Sequence, residues 1–398
     1  MKHANLKLKA LSAIVVACTM AVAGAASAQT VQGGGATLPQ PLYEELFGIT
    51  AGKASQVLGT WSYAGTGSGT GKSAFLNDTA TSFSKTGHVH FAGSDSALTA
   101  TEVDNYNTAH NKGSSSTGDN FGRLIQIPSV LTAVTLPYMA PSGSGITELN
   151  LTRKQVCEVF SGQTTTWGTL LGTADTTPIT VVYRSEGSGT SELLSNFLSA
   201  ACGSYLPTDQ SFTVSNSFAT VVSNAGGIRS NWVAATGSGG VATAMETAGS
   251  IAYLSPDYKF KPDDATLVAK IDGALPTAIS FPTDTKPPAT TVTRNNPLNW
   301  VPSYVLPTDS AVYPIYGTTN MLFNQCYADG TGNGTVGAAV KDFLTKLSSG
   351  AFDTTITGNY FVPLPTEWSS AISSVFLNSK GSLGIGNTSV CNGIGRPS

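Results

Sequence analysis

Glycine turns that join an extended run to a helical one recur along this chain, and that punctuation constrains its fold more than any other feature. The clearest copy spans 178–198. Pro178-Ile179-Thr180-Val181-Val182-Tyr183 is β-branched and aromatic, the pattern of a strand, whereas Ser191-Glu192-Leu193-Leu194-Ser195-Asn196-Phe197-Leu198 carries apolar residues at helical spacing. Between them lies Arg184-Ser185-Glu186-Gly187-Ser188-Gly189-Thr190. The first turn of a helix leaves backbone N–H groups without internal partners, and with the helix dipole these favour an oxyanion. Arg184 adds a planar guanidinium that can grip such an anion through two parallel hydrogen bonds.

Three further segments repeat the pattern. Gly33-Gly34-Gly35-Ala36-Thr37-Leu38-Pro39 precedes a helical run over 42–47, which puts Thr37 and the Leu38 N–H at a helix mouth. Tyr63-Ala64-Gly65-Thr66-Gly67-Ser68-Gly69-Thr70-Gly71-Lys72-Ser73 ends a strand and turns into a helix expected to begin at Ala74-Phe75-Leu76, with Ser68 its best donor. Val89-His90-Phe91-Ala92-Gly93-Ser94-Asp95 reads as a short strand ending on a carboxylate, followed by the capping-box pattern Thr99-Ala100-Thr101-Glu102. Strand and helix alternate through the first 200 residues, which places the fold in the α/β class. Asp95 is the odd member, an anion beside an anion site. A carboxylate can accept the proton of hydrogen phosphate but finds none on sulfate, and a buried acceptor left without its donor costs roughly 1–3 kcal/mol. Asp95 would therefore act as a filter between the two anions.

These motifs, with the tail Gly386-Asn387-Thr388-Ser389-Val390-Cys391-Asn392-Gly393-Ile394-Gly395-Arg396-Pro397, resemble the DING proteins, relatives of PstS-type phosphate-binding proteins. The similarity runs over essentially the whole chain after the leader described below. It implies a two-lobed periplasmic-binding-protein fold of type II, a Venus flytrap with a hinge and a phosphate cleft, that closes over one phosphate. Matched position by position, Thr37, Leu38, Ser68, Asp95, Arg184, Ser188, Gly189 and Thr190 correspond to the family's phosphate contacts, and Glu186 to the acid that braces the arginine. The same resemblance puts Thr37, Ser68 and Asp95 on one lobe and 184–190 on the other. The family's name-giving Asp-Ile-Asn-Gly start is replaced by Thr30-Val31-Gln32-Gly33, a departure that leaves the ligand positions intact.

Residues 1–28 have the form of an export signal: Lys2, Lys7 and Lys9, an apolar run over 10–25, and Ala26-Ser27-Ala28 as a small-residue cleavage site. A rival reading acylates Cys18, since Val15-Val16-Ala17-Cys18 loosely matches a lipobox. The formal net charge is −3, and loss of the leader's three lysines makes it more negative, so nucleic-acid binding has no electrostatic footprint. No other apolar run is long enough to span a bilayer. The protein is expected to be periplasmic or secreted.

The 398-residue length exceeds one typical core and argues for two lobes. The extended apolar runs 125–130 and 313–317 are candidate hinge crossings, giving lobe 1 over 29–130 and 316–398 and lobe 2 over 131–315. Cys157, Cys202, Cys326 and Cys391 lack any Cys-x-x-Cys spacing, so in an oxidising compartment disulfides are preferred to zinc. Three connectivities are open, as are buried thiols; Cys157–Cys202 with Cys326–Cys391 is favoured because each pair then lies within one lobe. The stretch 276–297 reads as an elaborate loop, and Trp61, Trp167, Trp232, Trp300 and Trp368 as core or lobe-rim residues.

Other chemistries compete. Gly71-Lys72-Ser73 resembles the end of a P-loop, but the required earlier glycine is Thr66. Asp95-Ser96-Ala97 copies the nucleophile triplet of alkaline phosphatases, and His88 and His90 could place two imidazoles on one strand face. Metal-free hydrolysis, described for some DING relatives, would use the phosphate donors for transition-state stabilisation and Asp95 as a base. The reading taken forward is high-affinity binding of inorganic phosphate, for ABC transport or scavenging, by a monomer needing no cofactor or metal, with an ABC permease as partner. The alternatives are a secreted phosphomonoesterase and an extracellular adhesion protein.

Overall fold

A computed structural model describes residues 30–398 other than 114–118, 257 and 329–333. The leader over 1–28, its cleavage site and Cys18 lie outside the described residues. The chain opens with β1 (Thr30–Gly35), α1 (Gln40–Leu46), β2 (Thr60–Gly65), α2 (Ser68–Leu76), β3 (Phe91–Ser94), α3 (Ala100–His110) and β4 (Leu124–Ala133). It continues through β5 (Tyr138–Met139), β6 (Asn150–Leu151), α4 (Arg153–Phe160), α5 (Trp167–Leu171), β7 (Thr180–Arg184), α6 (Gly189–Ala201), α7 (Phe218–Val222), β8 (Val233–Ala235), α8 (Gly237–Ala244), β9 (Ser250–Ala252), β10 (Lys270–Ile271) and α9 (Thr291–Arg294). It closes with β11 (Tyr316–Asn324), α10 (Val336–Ser349), α11 (Asp353–Gly358) and α12 (Thr366–Phe376).

Two main sheets carry two lobes. The larger has the order β2-β1-β3-β11-β4, with β1 parallel to β2 and β3, and β11 antiparallel to β3 and β4. The smaller has the order β5-β9-β7-β8, with β7 parallel to β8 and β9. The chain therefore leaves the larger sheet after β4, builds the smaller one, and returns as β11. The run 125–130 is no crossing: it lies wholly inside β4, whose ten residues are all buried. Just beyond it Val134 N donates to Ile315 O at 2.9 Å, and Ile315 lies within the second run, 313–317. An apolar run buried on both faces of a sheet and an apolar linker look alike in sequence, so periodicity could not separate them.

Close backbone approaches of β2 and α2 to β1 show why the glycines are where they are. A Cβ on Gly34 would lie 2.3 Å from Ala64 O, and one on Gly71 would lie 2.4 Å from the Gly35 Cα. Helix α2 thus packs backbone to backbone on β1. It begins at Ser68, six residues before the helix start expected at Ala74, and takes Gly69 and Gly71 into its interior. Glycine costs roughly 1 kcal/mol there relative to alanine, which is why the run reads as a turn, but no larger residue fits at Gly71.

Aromatic packing fixes the lobe beneath. Phe47 stacks on Trp61 at 4.7 Å, and Trp61 also meets Phe91 at 5.0 Å and Phe343 at 5.6 Å. Such rings each contribute roughly 1.5–3 kcal/mol on burial. All five tryptophans are at most 9% exposed, so they are core residues. The 276–297 stretch is held as a packed loop, with Gln126 Nε2 donating to Pro297 O at 3.0 Å and Lys286 paired with Glu367 at 2.9 Å.

The cysteines form Cys157–Cys202, which joins α4 to the C-terminal end of α6, and Cys326–Cys391, which ties the end of β11 to the C-terminal tail. Replacing Cys157 and Cys202 together with alanine is expected to destabilise the protein by about 2–4 kcal/mol, read as a lowered urea midpoint. An unchanged midpoint would deny that crosslink a stabilising role.

Candidate anion-binding site

Five strand-to-helix loops meet between the sheets, each leaving the carboxyl end of its strand, where open α/β sheets bind ligands. They follow β1, β2, β3, β7 and β8. Closeness is written into Gly189, the first residue of α6: a Cβ there would lie 2.4 Å from the Asp95 Cβ and 2.5 Å from Ser68 Oγ. Nearby, Gly69 N donates to Gly187 O at 3.0 Å. On the other flank Thr37 Oγ1 lies 3.1 Å from Ser238 Oγ and accepts the Ser238 N–H at 3.1 Å. The structure thus gathers Thr37, Leu38, Ser68, Asp95, Arg184, Ser188, Gly189 and Thr190 around one place, all of them buried.

Arg184 is the cationic centre. It ends β7, with its own N–H donated to Tyr253 OH at 2.9 Å, and its side chain is only 2% exposed. Glu186 Oε1 takes the Nε edge at 2.7 Å and also accepts from Nη2 and, at 3.0 Å, from Gly237 N. This pins the guanidinium plane and leaves Nη1 directed toward Thr190 Oγ1 at 3.4 Å and Ser238 Oγ at 3.5 Å. Around it stand the N-termini of α2, α6 and α8, with Ser188 capping α6 by accepting the Ser191 N–H. Their dipoles reinforce a positive potential.

Asp95 opposes that potential. Its N–H donates to Ser68 Oγ at 3.1 Å, while its carboxylate Oδ1 is buried without a hydrogen-bond partner, as is the neighbouring Thr319 hydroxyl. Burial pushes the Asp95 carboxyl up to about 7, opposed by the nearby Thr319 hydroxyl, the Arg184 charge and Ser68. The site therefore offers many donors and one acceptor with an open position, which is the complement of an oxyanion that carries a proton.

Ser238 was not among the residues singled out from the sequence. Its signal was present: Val233-Ala234-Ala235-Thr236-Gly237-Ser238-Gly239-Gly240 repeats the strand, glycine turn and helix of the other loops. The short strand β8 made it easy to pass over.

The metal and nucleotide motifs resolve into scaffold. His88 Nδ1 pairs with Asp78 at 2.6 Å, whereas His90 accepts the Gln32 N–H at Nδ1 and donates from Nε2 to Pro397 O. Burial lowers the His90 pKa to about 4, so that ring is neutral at neutral pH. Ser96 is buried in a turn whose carbonyl accepts from Ser94 Oγ at 2.6 Å. Lys72 is spent on Ala97 O at 2.9 Å and Glu102 at 3.1 Å. Among the described residues no group of three or more His, Cys, Asp or Glu is placed to hold a metal ion.

Residues 21–347 match the family model for the PBP superfamily domain. Alkaline phosphatase L of Pseudomonas aeruginosa is 42% identical over 392 residues, covering 96% of this chain and 99% of that protein. A phosphate-binding protein from an unknown prokaryotic organism is 40% identical over 398 residues, covering 92% of this chain and all of that protein. Among solved structures, a phosphate-binding protein from Stenotrophomonas maltophilia aligns with a TM-score of 0.81 at 39% identity, over 93% of this chain and 100% of its own. The high-affinity periplasmic phosphate-binding protein PfluDING, solved with phosphate bound, aligns with a TM-score of 0.78 at 41% identity over the same shares.

Proposed function

Because this chain belongs to the PBP superfamily and, within it, to the DING proteins, we propose that it binds inorganic phosphate with high affinity between its two lobes. The observation that carries the reading is the meeting of the Arg184 Nη1 edge that Glu186 leaves unclaimed, a ring of hydroxyls and helix N-termini, and one open carboxylate oxygen on Asp95. In this reading the Leu38 and Gly189 N–H groups and the hydroxyls of Thr37, Ser68, Ser188 and Thr190 donate to phosphate oxygens. Arg184 supplies the charge-assisted bonds, Glu186 holds its plane, and Asp95 accepts the ligand's proton. The lobes over 29–130 with 316–398 and over 131–315 would close on the anion about the crossings near 134 and 315. An exported protein of this kind would hand phosphate to an ABC permease or scavenge it outside the cell, after cleavage behind Ala28 or acylation at Cys18.

Asp95 also gives the reading its sharpest test. Asp95→Asn supplies an amide that can donate to sulfate, so the preference for phosphate over sulfate should narrow by roughly ten- to a hundredfold in calorimetric titrations. In the wild type the preference should be largest above about pH 7 and shrink below it, because there Asp95 itself holds a proton that it can donate to sulfate. An Asp95→Asn protein with unchanged sulfate rejection would remove Asp95 from the filter.

Hydrolysis is the second reading, and the kinship with proteins named Alkaline phosphatase L is what favours it. Donors arranged for phosphate also stabilise a phosphoryl transition state. Release of nitrophenol from p-nitrophenyl phosphate by the purified protein, lost on Arg184→Ala, would establish it.

A further inference from the structure

Helix α6 carries the proposed ligand residues Gly189 and Thr190 in its first turn and reaches across to the other lobe just beyond them. Glu192 Oε1 accepts the Ala97 N–H at 3.1 Å. Ala97 lies two residues past Asp95 on the loop that leaves β3, and its carbonyl is held from its own lobe by Lys72 Nζ at 2.9 Å. That lysine is fixed in turn, being 3% exposed and bonded to Glu102. The Asp95 loop is therefore gripped by a lysine of its own lobe and a glutamate of the opposite one. The next residue, Leu193, seats α6 on β11, where a Cβ on Gly317 would come within 2.4 Å of Leu193 Cδ2. Beside the grip lies a cavity of about 260 Å³ lined by Asp95, Glu192, Asn196, Tyr304, Tyr316 and Thr318, among others.

We propose that Glu192 is an interlobe latch, a positioning residue that binds the Asp95 loop only when the lobes are together and so sets how slowly a bound anion leaves. The proposal rests on the phosphate reading above. It predicts a proton linkage, because closure would take the Glu192 carboxylate out of full solvent into the half-buried position it holds in this structure. Burial raises its pKa to about 7; Lys72 of α2 and the Ala97 N–H oppose that rise, while Glu102 of α3 and Asp95 add to it. Solvated in an open form it would titrate near the ordinary glutamate value of roughly 4.3. A closed-state value above the open-state one means that closing takes up a proton between the two. This contribution to closure is complete below the open-state value, declines as the pH rises toward about 7, and is lost above it.

The test compares wild type with Glu192→Gln and Glu192→Ala by stopped-flow phosphate binding and by calorimetry in two buffers of different ionisation enthalpy, at about pH 5.5 and about pH 8. Glu192→Gln keeps an acceptor for Ala97 and should bind phosphate while taking up fewer protons than wild type at the lower pH. Glu192→Ala should release phosphate about tenfold faster there, with the phosphate-to-sulfate preference unchanged because Asp95 sets it. Melting of the ligand-free variants separates these effects from misfolding. Wild-type proton uptake in Glu192→Gln, or an unchanged release rate in a folded Glu192→Ala, overturns the latch while leaving the phosphate reading standing. A wild-type protein that binds no phosphate overturns the ligand assignment itself, and the latch with it.

Discussion

Arg184→Ala is expected to weaken phosphate binding by two to four orders of magnitude. The guanidinium is buried at the centre of the site, and removing one partner of a buried charged pair costs about 3–5 kcal/mol, at roughly 1.4 kcal/mol per tenfold change in affinity. The substitution does double harm, because Glu186 would keep its bond from Gly237 N but lose its cation and stand as an unneutralised charge beside the ligand. Arg184→Lys should rescue little: an ammonium is a point charge and cannot serve Glu186 along one edge while presenting another to the anion. Calorimetry on folded protein decides this. A dissociation constant within tenfold of wild type would show that the arginine does not hold the ligand.

Arg396→Met should cost about 3–5 kcal/mol of stability although it lies far along the chain from every ligand residue. Arg396 is fully buried and donates from Nη1 to Asp78 Oδ1 at 2.9 Å and Val89 O at 2.5 Å, and from Nη2 to Phe75 O at 2.9 Å. Its guanidinium also lies 4.5 Å from the ring centres of both Phe75 and Phe121. The C-terminal tail thereby pins the end of α2 and the residues leading into β3, the two elements whose other ends present Ser68 and Asp95. Methionine can fill the aromatic slot but leaves Asp78 with only His88 and the Val89 N–H as partners. The loss should appear as a lowered urea midpoint, and saturating phosphate should restore part of it by mass action. An unchanged midpoint would mean that the tail only decorates the surface.

The parts of this molecule that were legible from residues are those with a local physical signature. Thr99 and Glu102 announced a capping box, and the structure forms it at the start of α3. Val181 and Val182 announced a strand, and Ser191 through Leu198 the helix after it. Tertiary contact decided the rest. The helix over Ser68–Leu76 carries Gly71 because β1 leaves no room there for a side chain and Gly69 faces Gly187 closely, and nothing local reports either neighbour. The run 125–130 is equally apolar whether it crosses between lobes or lies within a sheet, and only its pairing with β11 tells which. The Thr37–Ser238 and Glu192–Ala97 bonds join parts of the chain far apart in sequence, so a reading that moves along the chain meets their members separately.

The central claim is that a buried arginine, a set of hydroxyls and an open aspartate oxygen select a protonated oxyanion. It is tested most directly by stripping phosphate from the purified protein through unfolding and refolding, then titrating phosphate, sulfate and p-nitrophenyl phosphate in one calorimetric series. The account predicts tight one-to-one phosphate binding above about pH 7, with sulfate at least a hundredfold weaker. Equal affinity for sulfate and phosphate at that pH, or no binding of either, would contradict it.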